Sequence, residues 1–246
     1  MKLPVDPDAP VPGRRVRIIG PGRAGTSLAW ALTEARWVVA PLVGRGDDPA
    51  GAAEEVDLVV VATPDATVAE VAAAVAPRDG VVVAHLAGAL GLDVLAPHAR
   101  RAGVHPLVAL PTPEIGAKRL VGAWFGVAGD PMAYEVVGAL RGRPFALDDA
   151  DRAAYHATAV VASNHLVALM GQVERLAAAT GVPFAAYLDL AEDTLANVRE
   201  LGPKAALTGP AARGDEATIA RHLAALAEDE RAAYRALADE ARRLAR

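Results

Sequence analysis

The stretch VRIIGPGRAGTSLAWAL, Val16 to Leu32, decides how this chain is read. Four β-prone residues run into glycines 20, 22 and 25, and an alanine-rich segment of helical composition follows. The glycines fit G-x-G-x-x-G in the context that gives the pattern meaning, after a strand and at the opening of a helix. The first glycine permits a tight turn, the second lets the backbone approach a pyrophosphate, and the third brings helix and strand together. Arg23 and Ala24 would open the helix, whose N-terminus offers free N–H groups to phosphate oxygens. The stretch therefore predicts a dinucleotide cradle, with a ligand-free glycine turn as the simpler alternative.

Outward from it, apolar runs alternate with helical segments. Strands are expected at 37–44, 56–64 and 80–88, and helical segments at 48–55 and 67–76. Val/Ile/Leu runs without polar alternation suit strands buried on both faces, and the β-α-β-α rhythm predicts a doubly wound parallel sheet. Further strands are expected at 103–111, 123–130 and 144–149. From Asp149 to Thr180 the pattern becomes one long helix, about 45 Å at 1.5 Å per residue. Aspartates 148, 149 and 151 offer caps, and Gly181 with Pro183 gives a stop. The expected organisation is a proline-rich flexible lead-in (1–13), a Rossmann-type α/β domain (14–148) and an all-helical domain (149–246).

With 246 residues the chain is long enough for two modest domains, and at 53% hydrophobic residues it can bury a large core. A net charge of -5 argues against nucleic acid as the main partner. The absence of cysteine excludes disulfides, thiolate nucleophiles and cysteine-ligated metals. No apolar run has the length of a membrane span, the start lacks a signal-peptide core, and a cytoplasmic location without a membrane partner is expected. The histidines show no metal-ligand spacing with carboxylates, so no metal is expected.

Which dinucleotide binds turns on the end of the second strand, where an acidic residue about twenty positions on would hold a ribose 2′-hydroxyl. This chain has Arg45 there, and a guanidinium pairs with a 2′-phosphate, which favours NADP(H). Asp47 and Asp48 would serve NAD instead if the strand ran further. Thr63 and Pro64 close the third strand beside the expected cofactor. His85 and His105 end the next two strands, the edge at which open α/β sheets bind ligands. On the long helix, His156, Val160 and Asn164 fall on one helical face, with Ser163 beside them. Arg213 precedes a helix capped by Asp215 and is placed to meet a substrate carboxylate. Core or surface packing is the bland alternative for each of these residues.

VVAHLAGALGLDVL, GVHPLVALP, FGVAGD, YHATAVVASNHLVAL and ALTGPAARGD, in that order, resemble the bacterial proteins that join a Rossmann-like domain to the domain of unknown function 2520. That resemblance implies an NADP-binding domain, a C-terminal domain like that of 6-phosphogluconate dehydrogenase, a homodimer formed through it, and oxidoreductase activity. His105-Pro106 is similar to the His-Pro element of prephenate dehydrogenases, whose histidine contacts the substrate hydroxyl. The helix-borne catalytic lysine of β-hydroxyacid dehydrogenases and ketopantoate reductases has no counterpart, since the lysines are Lys2, Lys118 and Lys204.

The expectation is an NADP(H)-dependent oxidoreductase reducing a small carbonyl substrate, a 2-keto acid such as ketopantoate, between its two domains. His105 or His156 would be the general acid, because histidine titrates in the useful range. Asn164 and Ser163 would orient the carbonyl, while His85 and Arg213 would hold the substrate. An imine reductase of the pyrroline-carboxylate reductase type and a non-catalytic dinucleotide sensor or scaffold are the alternatives.

Overall fold

Strand β1 (Arg15–Ile19) lies inside a seven-stranded sheet of order β2-β1-β3-β4-β5-β6-β7 in the computed structural model, which describes residues 13–246. The expected lead-in at 1–13 falls, but for Gly13, outside the described residues. Strands β2 (Val38–Val39), β3 (Leu58–Val61), β4 (Val82–His85) and β5 (Arg101–Pro106) run parallel with β1. All four residues of β3 and of β4 are buried, as continuous apolar strands require when both faces are covered. Strand β6 (Trp124–Gly129) pairs antiparallel with β5, and β7 (Arg143–Ala146) pairs parallel with β6. The sheet is thus mostly parallel, with one reversal.

Helices α1 (Arg23–Glu34) and α2 (Val68–Ala74) fall where the sequence pattern puts them. Helices α3 (Pro113–Leu120) and α4 (Met132–Ala139) do not stand out as periodic segments. Their signal is in the caps. Thr112 accepts from the Ile115 N–H at 3.3 Å and Pro113 opens α3, while Asp130 Oδ1 accepts from the Met132 N–H at 3.0 Å. Two buried apolar clusters result, one holding Leu28, Leu32, Leu120 and Val136, the other Val59, Val61, Val68 and Leu95.

The long helix contains a break that periodicity does not reveal. Helix α5 (Arg152–Val160) passes into one π turn, Val161–His165, and continues as α6 (Leu166–Thr180). Gly181, with φ of 74°, ends it as expected. Aspartates 148, 149 and 151 place no side-chain cap on it. The chain divides into two compact units, the first ending at Ser163 and the second being Asn164–Arg246. The change of composition near 148 and this division are separate events, because α5 packs with the sheet.

The second unit holds α6, α7 (Phe184–Leu201), the single turn α8 (Pro203–Ala206), α9 (Glu216–Ala225) and α10 (Arg231–Ala245). Arg175 on α6 donates twice to the Glu230 carboxylate, at 2.5 and 3.0 Å, and Gln172 donates to the Glu230 carbonyl at 2.9 Å. No helix among the described residues is long and apolar enough to cross a membrane.

Candidate active site

The order of the strands places a topological switch at β1, whose neighbours β2 and β3 lead away in opposite directions. Open sheets bind ligands at the carboxyl edge of such a point. A cavity of about 560 Å³ lies there, lined among others by Gly20, Gly22, Arg45, Thr63 and Pro64. Gly20 has φ of 103°, a left-handed conformation, and a Cβ on it would stand 2.8 Å from the Ala62 carbonyl oxygen. A Cβ on Gly25 would overlap the Gly20 carbonyl oxygen. A Cβ on Gly22 would meet nothing within 4 Å. Two glycines are therefore demanded by the protein's own backbone, and the third faces open space.

Gly22 is the N-cap of α1 and supplies no side-chain cap, so the amides of Arg23 and Ala24 begin the helix without intrahelical partners. The first turn carries no acidic residue and does carry the Arg23 cation, a poor match to the helix dipole unless an anion sits beside it. Arg23 and Ala24 lie at the helix opening and outside the cavity lining. Thr63 Oγ1 is buried and has no hydrogen-bond partner. These residues fit a dinucleotide: a cavity at the switch point, free amides, an orphaned hydroxyl and an open glycine.

Arg45 is exposed and makes no ion pair among the described residues. Asp47 is turned the other way, its Oδ2 accepting from the Gly44 N–H at 2.7 Å. Asp48 Oδ1 accepts from the Ala50 N–H at 2.9 Å. The carboxylates that would serve a ribose hydroxyl are engaged in holding the loop, and the guanidinium is free.

The adjoining strands end in histidines. His85 closes β4 and is 0% exposed. Its Nδ1 accepts from the Ala87 N–H at 3.2 Å, so the proton sits on Nε2, which is buried without a partner. Burial first, then the nearby Arg152 cation, lowers its pKa to about 4. A substrate-holding role for His85, expected from its place at a strand end, would need this fully enclosed side chain to become accessible.

His105 lies on β5, half-buried. Its Nδ1 is 2.6 Å from the Tyr155 hydroxyl, and its ring meets those of Tyr155 and His156 edge-on, at 5.4 and 6.0 Å between centroids. The structure thus brings His105 and His156 together and adds Tyr155 between helix and strand. Burial, then His156 and Arg152, lower the His105 pKa to about 4. Histidine's ordinary range near neutrality therefore does not apply, and His105 is a neutral imidazole at pH 7.

Two members of this cluster escape the sequence reading. Arg152 opens α5 and is 1% exposed; its Nε donates to Asp149 Oδ1 at 2.7 Å, and its two terminal nitrogens are buried without partners. Asp149 Oδ2 accepts from the Leu92 N–H at 2.9 Å. Arg152, Tyr155 and His156 stand at i, i+3 and i+4, a single helix face, and that spacing was the available signal.

Ser163 and Asn164 are exposed in the π turn, and their side chains make no hydrogen bond among the described residues. The expected alignment of Asn164 with His156 assumes regular α geometry, and the π turn changes the angle at which the two residues stand. Arg213 is exposed in the turn before α9, whose cap is as expected: Asp215 accepts from the Thr218 N–H at 3.0 Å. No group of three or more candidate metal ligands occurs among the described residues.

Known proteins agree with this architecture. Residues 47–111 match the model of a Rossmann-like domain. Residues 124–241 match the domain of unknown function 2520, so the chain carries the two-domain pairing that its motifs resemble. No curated protein matches the chain. Among solved structures it is similar to a Bacteroides fragilis protein provisionally described as an NADP oxidoreductase, at 22% identity and TM-score 0.78, covering 94% of this chain and 98% of that one. A reductive aminase from Aspergillus terreus, in complex with a reduced nicotinamide cofactor, cyclohexanone and allyl amine, matches at 20% identity and TM-score 0.65 over 94% of each chain. A Plasmodium falciparum pyrroline carboxylate reductase with NADP bound matches at 12% identity and TM-score 0.61, over 95% and 98%. At these identities the likeness establishes the fold.

Proposed function

We propose that this chain is an NADP(H)-dependent reductase of a small carbonyl compound, with 2-keto acids as the candidate substrates. The observation that carries the reading is the pairing of two features on one sheet edge. One is the open-glycine cavity with its free Arg45. The other is the His105–Tyr155 pair two strands beyond β3. Gly20, Gly22, Thr63 and the opening amides of α1 would hold the pyrophosphate side, and Arg45 the 2′-phosphate. The cofactor, when bound, supplies a hydride.

His105 is the proton donor in this reading. In this reading the Tyr155 OH, 2.6 Å from His105 Nδ1, donates to it, which leaves the His105 proton on Nε2. The Nε2–H binds a carbonyl oxygen and transfers its proton as negative charge develops. Nδ1 takes the Tyr155 proton in the same step, which avoids an imidazolate; that proton then returns from Nδ1 to the Tyr155 oxygen while Nε2 regains one from solvent, which restores the donor.

Cofactor choice gives the direct test. Titration of the purified protein should show NADPH binding at least tenfold tighter than NADH, about 1.4 kcal/mol. Arg45→Ala should bring the two together by weakening NADPH alone. Equal affinities in the unmodified protein would remove the assignment of Arg45. NADPH oxidation with a panel of 2-keto acids separates an enzyme from a sensor, which would bind and not turn over. Reduction of a C=N bond is the second reading, favoured by the absence of a strong acid at His105, since an iminium needs none.

The partner in this reading, besides the substrate, is a second copy of the chain. Helix α7 has 18 residues and none is buried, and Leu190, Leu195 and Leu201 are 61%, 52% and 56% exposed. Apolar exposure on this scale marks an association surface. Sedimentation velocity should report a dimer, and Leu195→Glu should shift it to monomer; a monomer in the unmodified protein overturns the assignment.

A further inference from the structure

The Arg152 guanidinium occupies an unusual position. A Cβ on Gly103 would stand 2.6 Å from Arg152 Nη2, so the cation fills the side-chain space that Gly103 leaves empty. Gly103 is the register partner of His85 on β4 and lies two residues before His105 on β5. Register partners and i, i+2 residues share a sheet face. The guanidinium therefore sits in a row between His85 and His105.

Its only carboxylate among the described residues is Asp149, bound through Nε, and Asp149 is 43% exposed. The ion pair is thus a dipole with its positive end enclosed and its negative end toward solvent. Burying two guanidinium nitrogens without acceptors is costly, and an apolar side chain would pack the space more cheaply. What the cation adds is a fixed positive potential beside His105.

We propose that Arg152 sets the substrate class of this site, selecting an uncharged carbonyl over an iminium cation. This rests on the reductase reading above. A carbonyl carbon that accepts hydride breaks its C–O π bond, leaving an electron pair and negative charge on oxygen, which then takes the His105 proton. A positive potential stabilises that charge as it forms. An iminium carbon that accepts hydride passes its π electrons to nitrogen, which loses its positive charge and needs no proton. The same potential opposes its binding.

The other groups facing His105 do not offset the cation. They are His85 from β4 and Tyr155 and His156 from α5, with Asp149 and Asp65 acting on His85 alone. Burial is the larger cause of the low proton affinity of both strand histidines, and the Arg152 cation adds to it in each.

The test compares the full-length protein with Arg152→Met, which removes the charge, and Arg152→Lys, which keeps it. With an uncharged aldehyde or ketone and with 2-keto acids alike, kcat/KM should fall about tenfold or more in Arg152→Met and recover in part in Arg152→Lys, and a loss confined to the acids would overturn the proposal by showing that the cation only binds their carboxylate. With a cyclic imine at a pH where it is protonated, Arg152→Met should equal or exceed the unmodified protein. NMR titration of the His105 ring should show its pKa rising part of the way in Arg152→Met only, since burial and His156 still hold it down. Equal losses on both substrate classes, or an imine preference in the unmodified protein, overturn the proposal. Should the unmodified protein reduce neither class, the reductase reading fails, and a His105 titration unmoved in Arg152→Met would separately overturn the electrostatic role. If Arg152→Met does not fold, Gly103→Ala displaces the guanidinium while keeping the charge in the chain, and should change the carbonyl-to-imine ratio in the same direction.

Discussion

Gly22→Ala is expected to weaken NADPH binding about a hundredfold while leaving the fold nearly intact, and Gly25→Ala to do the reverse to the fold itself. The contrast follows from what each new methyl group meets. At Gly22 it meets nothing within 4 Å, and the backbone there, φ -77° and ψ -173°, is open to any residue. The stability cost is confined to a poorer helix cap, about 0.5 kcal/mol. The methyl nevertheless projects where a pyrophosphate must approach the backbone, so loss of two charge-assisted hydrogen bonds, about 2.7 kcal/mol, is expected in binding. At Gly25 the methyl collides with the Gly20 carbonyl and stands 3.2 Å from Ala62 Cβ. Neither partner is a flexible side chain. Overpacking of this kind costs about 3 kcal/mol, or about 10 °C in Tm for a protein of this size. Calorimetry and cofactor titration on the two variants measure both quantities. A Gly22→Ala protein that binds NADPH normally would show that the open glycine faces no ligand.

The second large effect concerns His105. His105→Gln should lower kcat about a hundredfold or more, the usual contribution of a positioned proton donor. The pH profile is the more discriminating measurement. An imidazolium acid of ordinary pKa loses activity as pH rises through about 6.5. Here the folded-state pKa of His105 is depressed to about 4, so the neutral donor is present throughout and is lost only as pH falls through that value. Tyr155 is pushed above its usual pKa of 10 by burial, so its proton is retained at the alkaline end. The expected kcat/KM is flat from about pH 5.5 to about pH 8.5. Tyr155→Phe should leave this plateau in place while lowering it about tenfold, because Nδ1 loses its proton source. A descending limb near pH 6.5 would return the imidazolium to the mechanism.

Much of this was legible in residue order. The strand–glycine–helix opening announced itself because every local signal in it agrees. The Val-rich runs gave the inner strands because burial on both faces leaves no room for polar alternation. His105 and His156 could be paired by reasoning about strand ends and helix faces. Other features were hidden for physical reasons. An antiparallel β6 looks no different in composition from a parallel one, since direction is set by the connection through α3. The π turn at Val161–His165 inserts within a segment whose composition is helical throughout, so the angle of Ser163 and Asn164 relative to His156 is not readable from α-helical spacing. Histidine burial cannot be read from neighbours in sequence, and it decided the ionisation of His85 and His105. Arg152 was passed over because an arginine at a helix start normally points to solvent.

The loop after β2 bears on how cofactor preference can change over generations of substitution. Asp47 and Asp48 are already engaged with backbone amides, so removing Arg45 subtracts one affinity without adding another. A lineage moving toward NADH would pass through a variant that binds both cofactors weakly. Gaining the ribose contact would require a new carboxylate nearer the strand, or release of Asp47 from Gly44 together with some other way of closing the turn. If Arg45 sets the preference as proposed, removing it is not enough to reverse that preference, because the two aspartates of the loop are already committed to its backbone.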